Sequence, residues 1–179
     1  MKIDKLFIYD NIDQQLCKDI FKVLSCNSLW IMNLNNDVLN MVVTDQSIWG
    51  DYWDKKYYLH DPILNAESNN DDAILNSEST DDAVWEISLG TDCESFNQCG
   101  FLYDLYKIFN VEEFVSIQKK IGTENYCFRF FTKNNRFIFM NKLLNDMAII
   151  KHFINLMINK IQVELPKQRA INTLSLKEN

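Results

Sequence analysis

The side chains best suited to hold a small molecule lie in one fifteen-residue run, Ile48 to Pro62, which carries Trp49, Tyr52, Trp53, Tyr57 and Tyr58 ahead of Asp61 and Pro62. Aromatic rings supply large rigid contact area. A carboxylate at the edge of an apolar pocket can accept one fixed hydrogen bond from a ligand amide or hydroxyl. The same spacing fits a core helix followed by an Asp-Pro turn, and residue chemistry alone favours that plainer reading. Trp85, whose indole N–H is a donor only, could face the same cavity; core filling is its equal alternative.

Catalytic constellations are scarce. There is no Gly-x-Ser-x-Gly, no His-Glu-x-x-His and no phosphate-binding Gly-rich loop. His60 and His152 are the only histidines and have no ligand-like neighbours, which argues against a zinc site. The five cysteines (17, 26, 93, 99, 127) form no Cys-x-x-Cys pair and read as reduced packing residues or exposed thiols. Only a reactive low-pKa thiol at Cys93 or Cys99 would revive an enzyme. The chain is therefore expected not to be an enzyme and to need no cofactor.

The whole chain has 179 residues, 47% hydrophobic and 13% aromatic, with only 4 Gly and 2 Pro. That composition indicates one globular domain with a proper core. No apolar run could span a bilayer and the start has no signal-peptide core, so a soluble, cytoplasmic protein without membrane contact is expected. A net charge of -7 opposes direct nucleic-acid binding by these residues. Much of the acidity is local: residues 65–82 hold six acids and no base, so 65–83 reads as a solvated, mobile acidic loop.

These residues need a scaffold, and the apolar periodicity supplies one. It predicts a helix over 12–24 capped by Asp10 or Asn11, and strands over 28–33 and 38–43 joined by a turn at 35–37. The ring-rich helix should start near Asp45 to Ser47. A short strand over 83–88 and a helix over 94–109 follow, then strands over 113–118 and 125–131 with Gly122 in their turn. One long helix is expected over 136–164, with residues 167–179 as a polar linker after Pro166. The order α, ββ, α, β, α, ββ, α indicates an α+β fold: an α-β-α sandwich around an antiparallel sheet of about five strands. The stripe on the last helix (Phe137, Met140, Leu144, Met147, Ile150, Ile154, Ile158, Ile161, widened by Phe139, Leu143, Phe153 and Met157) is broader than one sheet face needs. A homodimer through that helix is the expectation.

Three motifs carry a family resemblance. The spacing Tyr52-x4-Tyr57-x3-Asp61-Pro62-Ile63 resembles the Tyr…Tyr…Asp-Pro-Val core of the autoinducer-binding domain of LuxR-type quorum-sensing regulators. Val84-Trp85 is similar to that family's later Trp. The run Phe109 to Ile117 resembles its Phe-Gly-Ile-x-x-Gly-Val-Ser-Ile pattern without gaps. The last residues, Leu174 to Asn179, resemble the start of the helix-turn-helix domain that follows in such regulators. The resemblance implies residues 1–165 as a signal-sensing domain, 166–179 as a linker, and DNA binding only through a region beyond Asn179. It also implies an acyl-homoserine lactone, or an altered analogue, held between sheet and helices. Asp61 would accept the ligand amide N–H, Tyr52 would line the acyl pocket, and Trp85 would wall the head-group end. Trp49, Trp53, Tyr57 and Ser116 complete the candidate ligand-binding set.

The sequence departs from the family at three places. Ile48 stands where a Trp would donate to the lactone carbonyl, a hydrogen bond worth about 0.5–1.5 kcal/mol net; Trp49 is one place off. Asn110 and Phe114 replace the two glycines, and the link from Pro62 to Trp85 is longer than the family norm. These departures point to an altered ligand or to none. The alternative function is thus a ligand-free interaction and dimerisation module with a filled pocket.

Overall fold

In the computed structural model, residues 5–9, 13–35, 38–61, 84–90, 94–122, 124–164 and 172–175 are described. Their backbone forms a seven-stranded sheet between two helical layers. The strands are β1 (Lys5–Tyr9), β2 (Ser28–Asn35), β3 (Val38–Val43), β4 (Val84–Leu89), β5 (Glu113–Ile121), β6 (Glu124–Thr132) and β7 (Asn172–Ser175), in the spatial order β4-β5-β6-β2-β3-β1-β7. The helices are α1 (Gln14–Leu24), α2 (Gln46–Asp54), α3 (Glu94–Gln98), α4 (Phe101–Phe109), α5 (Arg136–Asn145) and α6 (Met147–Glu164), with a 3-10 turn at Tyr57–His60.

Strand alternation sorts the core into two layers, because successive side chains point to opposite faces. In β6, Tyr126, Phe128 and Phe130 pack with Cys17, Ile20 and Leu24 of α1, Phe139 and Leu143 of α5, and Ile150, Phe153, Ile154 and Met157 of α6. Cys127 and Phe131 point the other way, toward Ile48, Trp49 and Tyr52 of α2, Phe96 of α3, and Phe101 and Leu105 of α4. The fold is the α-β-α sandwich that the element order implies.

The sheet is larger than expected, and mixed. Strand β1 lies parallel to β3, with Phe7 opposite Asn40, and β7 pairs antiparallel with β1. The expected antiparallel sheet of about five strands therefore grows by two strands along one edge. Residues Asn172–Ser175, read from their polarity as linker, supply the outermost strand. The expected long helix is two helices meeting at Asp146, the C-cap of α5. This break turns Phe139, Leu143, Phe153 and Met157 onto the sheet and leaves Phe137 and Leu144 exposed. Much of the broad stripe is thus consumed within the chain. The helix expected over 94–109 is also divided, at Gly100, which takes the left-handed φ of 84°.

Local chemistry explains the helix ends. Asp45 caps α2 as anticipated, accepting from the Ser47 N–H at 3.0 Å. For α1 the cap is Asp13 rather than Asp10 or Asn11; it accepts the Leu16 N–H at 2.9 Å and pairs with Lys160 of α6 at 2.7 Å. Asn110 ends α4 at a φ of 54°. Asn tolerates that left-handed conformation better than other non-glycine residues. The 65–83 loop, the 35–37 turn beyond Asn35, Pro62, Cys93 and the ends of the linker lie outside the described residues.

Replacing Asp13 with Ala should cost about 1 kcal/mol in urea denaturation, the usual cap value. The Leu16 N–H and Lys160 hold the Asp13 carboxyl below its ordinary pKa. Its charge-dependent contribution is therefore full above about pH 4 and falls as the pH drops through the lowered folded-state value. An alanine variant whose deficit stays constant on acidification would contradict the cap.

Candidate functional site

The ring-rich run folds as two pieces that bring its first and last residues together. Helix α2 turns Ile48, Trp49 and Tyr52 onto the sheet, and the 3-10 turn returns the chain so that Asp61 comes back beneath Tyr52. Both Tyr52 and Asp61 are fully buried, and the Tyr52 hydroxyl donates to Asp61 Oδ2 at 2.5 Å. Rings surround this contact. Trp30 of β2 lies 5.2 Å from Tyr52 and 4.7 Å from Phe131, Trp49 is 5.8 Å from Trp30, and Phe101 is 5.4 Å from Tyr52.

The residue that completes the site is Arg129 of β6, which the motifs do not point to. Its Nη1 and Nη2 donate to the two Asp61 oxygens at 2.8 and 3.1 Å, and its Nε donates to Ser116 Oγ at 3.0 Å. The guanidinium sits 5.3 Å from the Phe96 ring and 5.1 Å from the Phe114 ring, where the ring faces favour a cation. Both partners of the ion pair are completely buried. Burial opposes the Arg129 charge, but the Asp61 carboxylate outweighs it and holds the guanidinium firmly protonated. Burial, then the Asp61 charge, drives the Tyr52 hydroxyl well above its ordinary pKa, so it remains a donor. One signal for Arg129 was available: a lone Arg inside Tyr126-Cys127-Phe128-Arg129-Phe130-Phe131, since Arg is almost never fully buried unless paired.

Of the Arg129 N–H groups, three are engaged by Asp61 and Ser116. Buried Nε1 atoms of Trp30 and Trp53 have no hydrogen-bond partner among the described residues.

The sequence-derived set is only partly assembled. Asp61, Tyr52 and Ser116 meet at Arg129, while Trp49 and Trp53 build the ring wall beside Tyr52. Tyr57 is diverted: its hydroxyl donates to Asp104 of α4 at 2.5 Å, and Lys55 joins the same carboxylate at 2.6 Å. Trp85 falls in β4 opposite Lys119, and its side chain lies outside the described residues. Phe114 is buried in the aromatic layer, and Gly90 across the sheet edge makes room for it, since a Cβ there would strike the Phe114 ring. Burial pushes the Cys17 thiol up to about 11 and those of Cys26 and Cys127 to about 12, so none of these three is a ready nucleophile at neutral pH. Among the described residues no helix is long and apolar enough to cross a membrane, and no cluster of metal-ligating side chains occurs.

The Tyr52→Phe variant isolates one bond of the site. Loss of a hydroxyl donor to a buried carboxylate should cost about 1.5–3 kcal/mol, the range for hydrogen bonds to charged groups. Urea denaturation would read it, and a cost below a few tenths would mean the contact does not form.

No family model matches the chain, and no curated protein matches it. Among solved structures, SdiA in complex with octanoyl-rac-glycerol is similar, with a TM-score of 0.46 and 10% identity. The match covers 79% of this chain and 61% of that one, so this chain spans about three fifths of that protein's length.

Proposed function

We propose that this chain is a small-molecule sensing module of the LuxR autoinducer-binding type, with Asp61 as the ligand anchor and Arg129 as its companion. The observation that carries this reading is a fully buried Asp61–Arg129 pair in an aromatic layer where the indole N–H groups of Trp30 and Trp53 have no partner among the described residues. A buried ion pair is weak evidence for stability, because desolvation offsets its attraction. Unpaired buried donors cost about 1–3 kcal/mol each. A ligand with acceptor oxygens would remove that cost. An acyl amide fits both sides: its N–H suits Asp61 and its carbonyl suits Arg129, while a lactone carbonyl suits the indole of Trp30 or Trp53. These indoles supply what Ile48 cannot. In this reading DNA contact belongs to a region beyond Asn179, and homodimerisation uses the exposed Phe137, Ile138, Leu144 and Ile149 of α5 and α6.

One observation favours the alternative, a ligand-free interaction module. Arg129 and Tyr52 already engage both Asp61 oxygens, and the rings about them are in mutual contact. A thermal-shift series with acyl-homoserine lactones of graded chain length, and with octanoyl-rac-glycerol, separates the two. The sensing reading predicts a concentration-dependent rise in Tm for at least one compound, diminished in Tyr52→Phe. No shift with any compound would leave the interaction module, whose dimer sedimentation would then detect.

A further inference from the structure

A second polar cluster lies on the opposite face of the sheet, where α1, α5 and α6 pack. Strand register builds it. Asn33 of β2 stands opposite Asn40 of β3 on one side and opposite Tyr126 of β6 on the other. Their neighbours on that face, Ile31, Val42 and Phe128, are fully apolar and packed beneath the helices. At this one place the apolar layer gives way to two amides and two phenols, and a cavity of about 400 Å³ opens between Tyr9, Asn33, Asn40 and Tyr126 below and Ile161 and Gln162 of α6 above.

The cavity is built rather than incidental. Asn33 is only 7% exposed, and its Nδ2 has no hydrogen-bond partner among the described residues. Its Oδ1 accepts a long bond from Asn40 Nδ2 at 3.4 Å, so the amide is held with its donor unspent. The Tyr126 hydroxyl donates to Glu124 and accepts from Gln162 Nε2 at 3.1 Å, which ties α6 across one end. A buried unpaired amide is costly where an apolar side chain of the same size would not be.

We propose that this cavity is a second small-molecule site, separate from Asp61, that takes an uncharged polar molecule whose carbonyl or hydroxyl oxygen accepts from Asn33 Nδ2. Glu124 at the rim disfavours an anion, and Tyr126 already engages that carboxylate, so the site does not call for a cation. The volume lies at the small end of ligand cavities, the size of a short polyol, a sugar or a small amide.

The test is an NMR titration of the full 179-residue chain with acetamide, glycerol and ribose in turn, following side-chain amide signals of Asn33, Asn40 and Gln162. The expected result is a saturable shift of those signals with at least one probe, while the indole N–H signals of Trp30 and Trp53 stay still. Asn33→Leu should weaken that binding about tenfold, the order set by one lost hydrogen bond. Should Asn33→Leu not fold, Asn40→Ala at its half-buried neighbour should weaken binding by several-fold instead. Shifts that never saturate with any probe, or saturable shifts with the parent's affinity in a folded variant, would overturn the proposal. So would a crystal structure in the saturating probe showing only ordered water on Asn33.

Discussion

Arg129→Met is expected to lower the stability of the chain by about 3–5 kcal/mol, the cost of removing one partner from a buried ion pair. The reason is asymmetry. The substitution keeps most of the side-chain volume against Phe96 and Phe114, but it leaves the Asp61 carboxylate fully buried without its cation. Asp61→Asn should cost a similar amount, because it strands the guanidinium among rings. The double variant Asp61→Asn, Arg129→Met should fall well short of the sum. Neither charge is then left alone, and the amide oxygen introduced at position 61 still accepts from Tyr52. Denaturant unfolding of the four proteins closes the cycle. A coupling within a few tenths of a kcal/mol of zero would show that the two side chains do not meet.

Phe114→Ala is the second large effect, at about 3–5 kcal/mol, the usual cost of deleting a buried aromatic ring. Phe114 touches Phe96, Phe101 and Phe131 and forms one face of the Arg129 sandwich, so its loss opens space in the middle of the aromatic layer. The exchange with Gly90 makes the prediction sharper. In the parent chain Gly90→Ala drives a methyl against the Phe114 ring and should cost about 1–3 kcal/mol, as overpacking does. In the Phe114→Ala background that penalty should vanish. Denaturation midpoints of the single and double variants would show it, and an undiminished Gly90→Ala cost would mean that something other than Phe114 confines position 90.

Much of the scaffold was legible because its signals are local. The Asp45 cap and the apolar spacing of Ile48, Trp49 and Tyr52 define α2 within ten residues, and Gly122 marks the turn of the β5–β6 hairpin. What escaped depends on distant partners. Strand β1 is five residues long and pairs in parallel with β3, while β7 is a polar Asn-Thr-Leu-Ser that becomes a strand only because the edge of β1 is there. The break at Asp146 was hidden because the apolar stripe continues through it. The site divided in the same way. Tyr52 and Asp61 lie nine residues apart and could be paired by spacing, whereas Arg129 is 68 residues from Asp61 and only the folded sheet joins them. Tyr57 shows the converse: it has the right spacing, yet Asp104 takes its hydroxyl.

Asn110 ends α4 in the left-handed conformation. Phe114 fills the middle of the aromatic layer, and Gly90 accommodates its ring. Ile48 is buried with no side-chain donor, while Trp30 brings from β2 an indole N–H that has no partner among the described residues.

The most direct measurement is on Arg129 itself: its guanidinium N–H signals in the ¹⁵N-labelled chain, followed while an acyl-homoserine lactone is added. If Asp61 and Arg129 together hold the ligand amide, those signals shift saturably, in step with the indole N–H of Trp30 or Trp53, and the response is weakened in Tyr52→Phe. If the guanidinium signals stay fixed across the whole lactone series, Arg129 is a permanent plug and the sensing account is wrong.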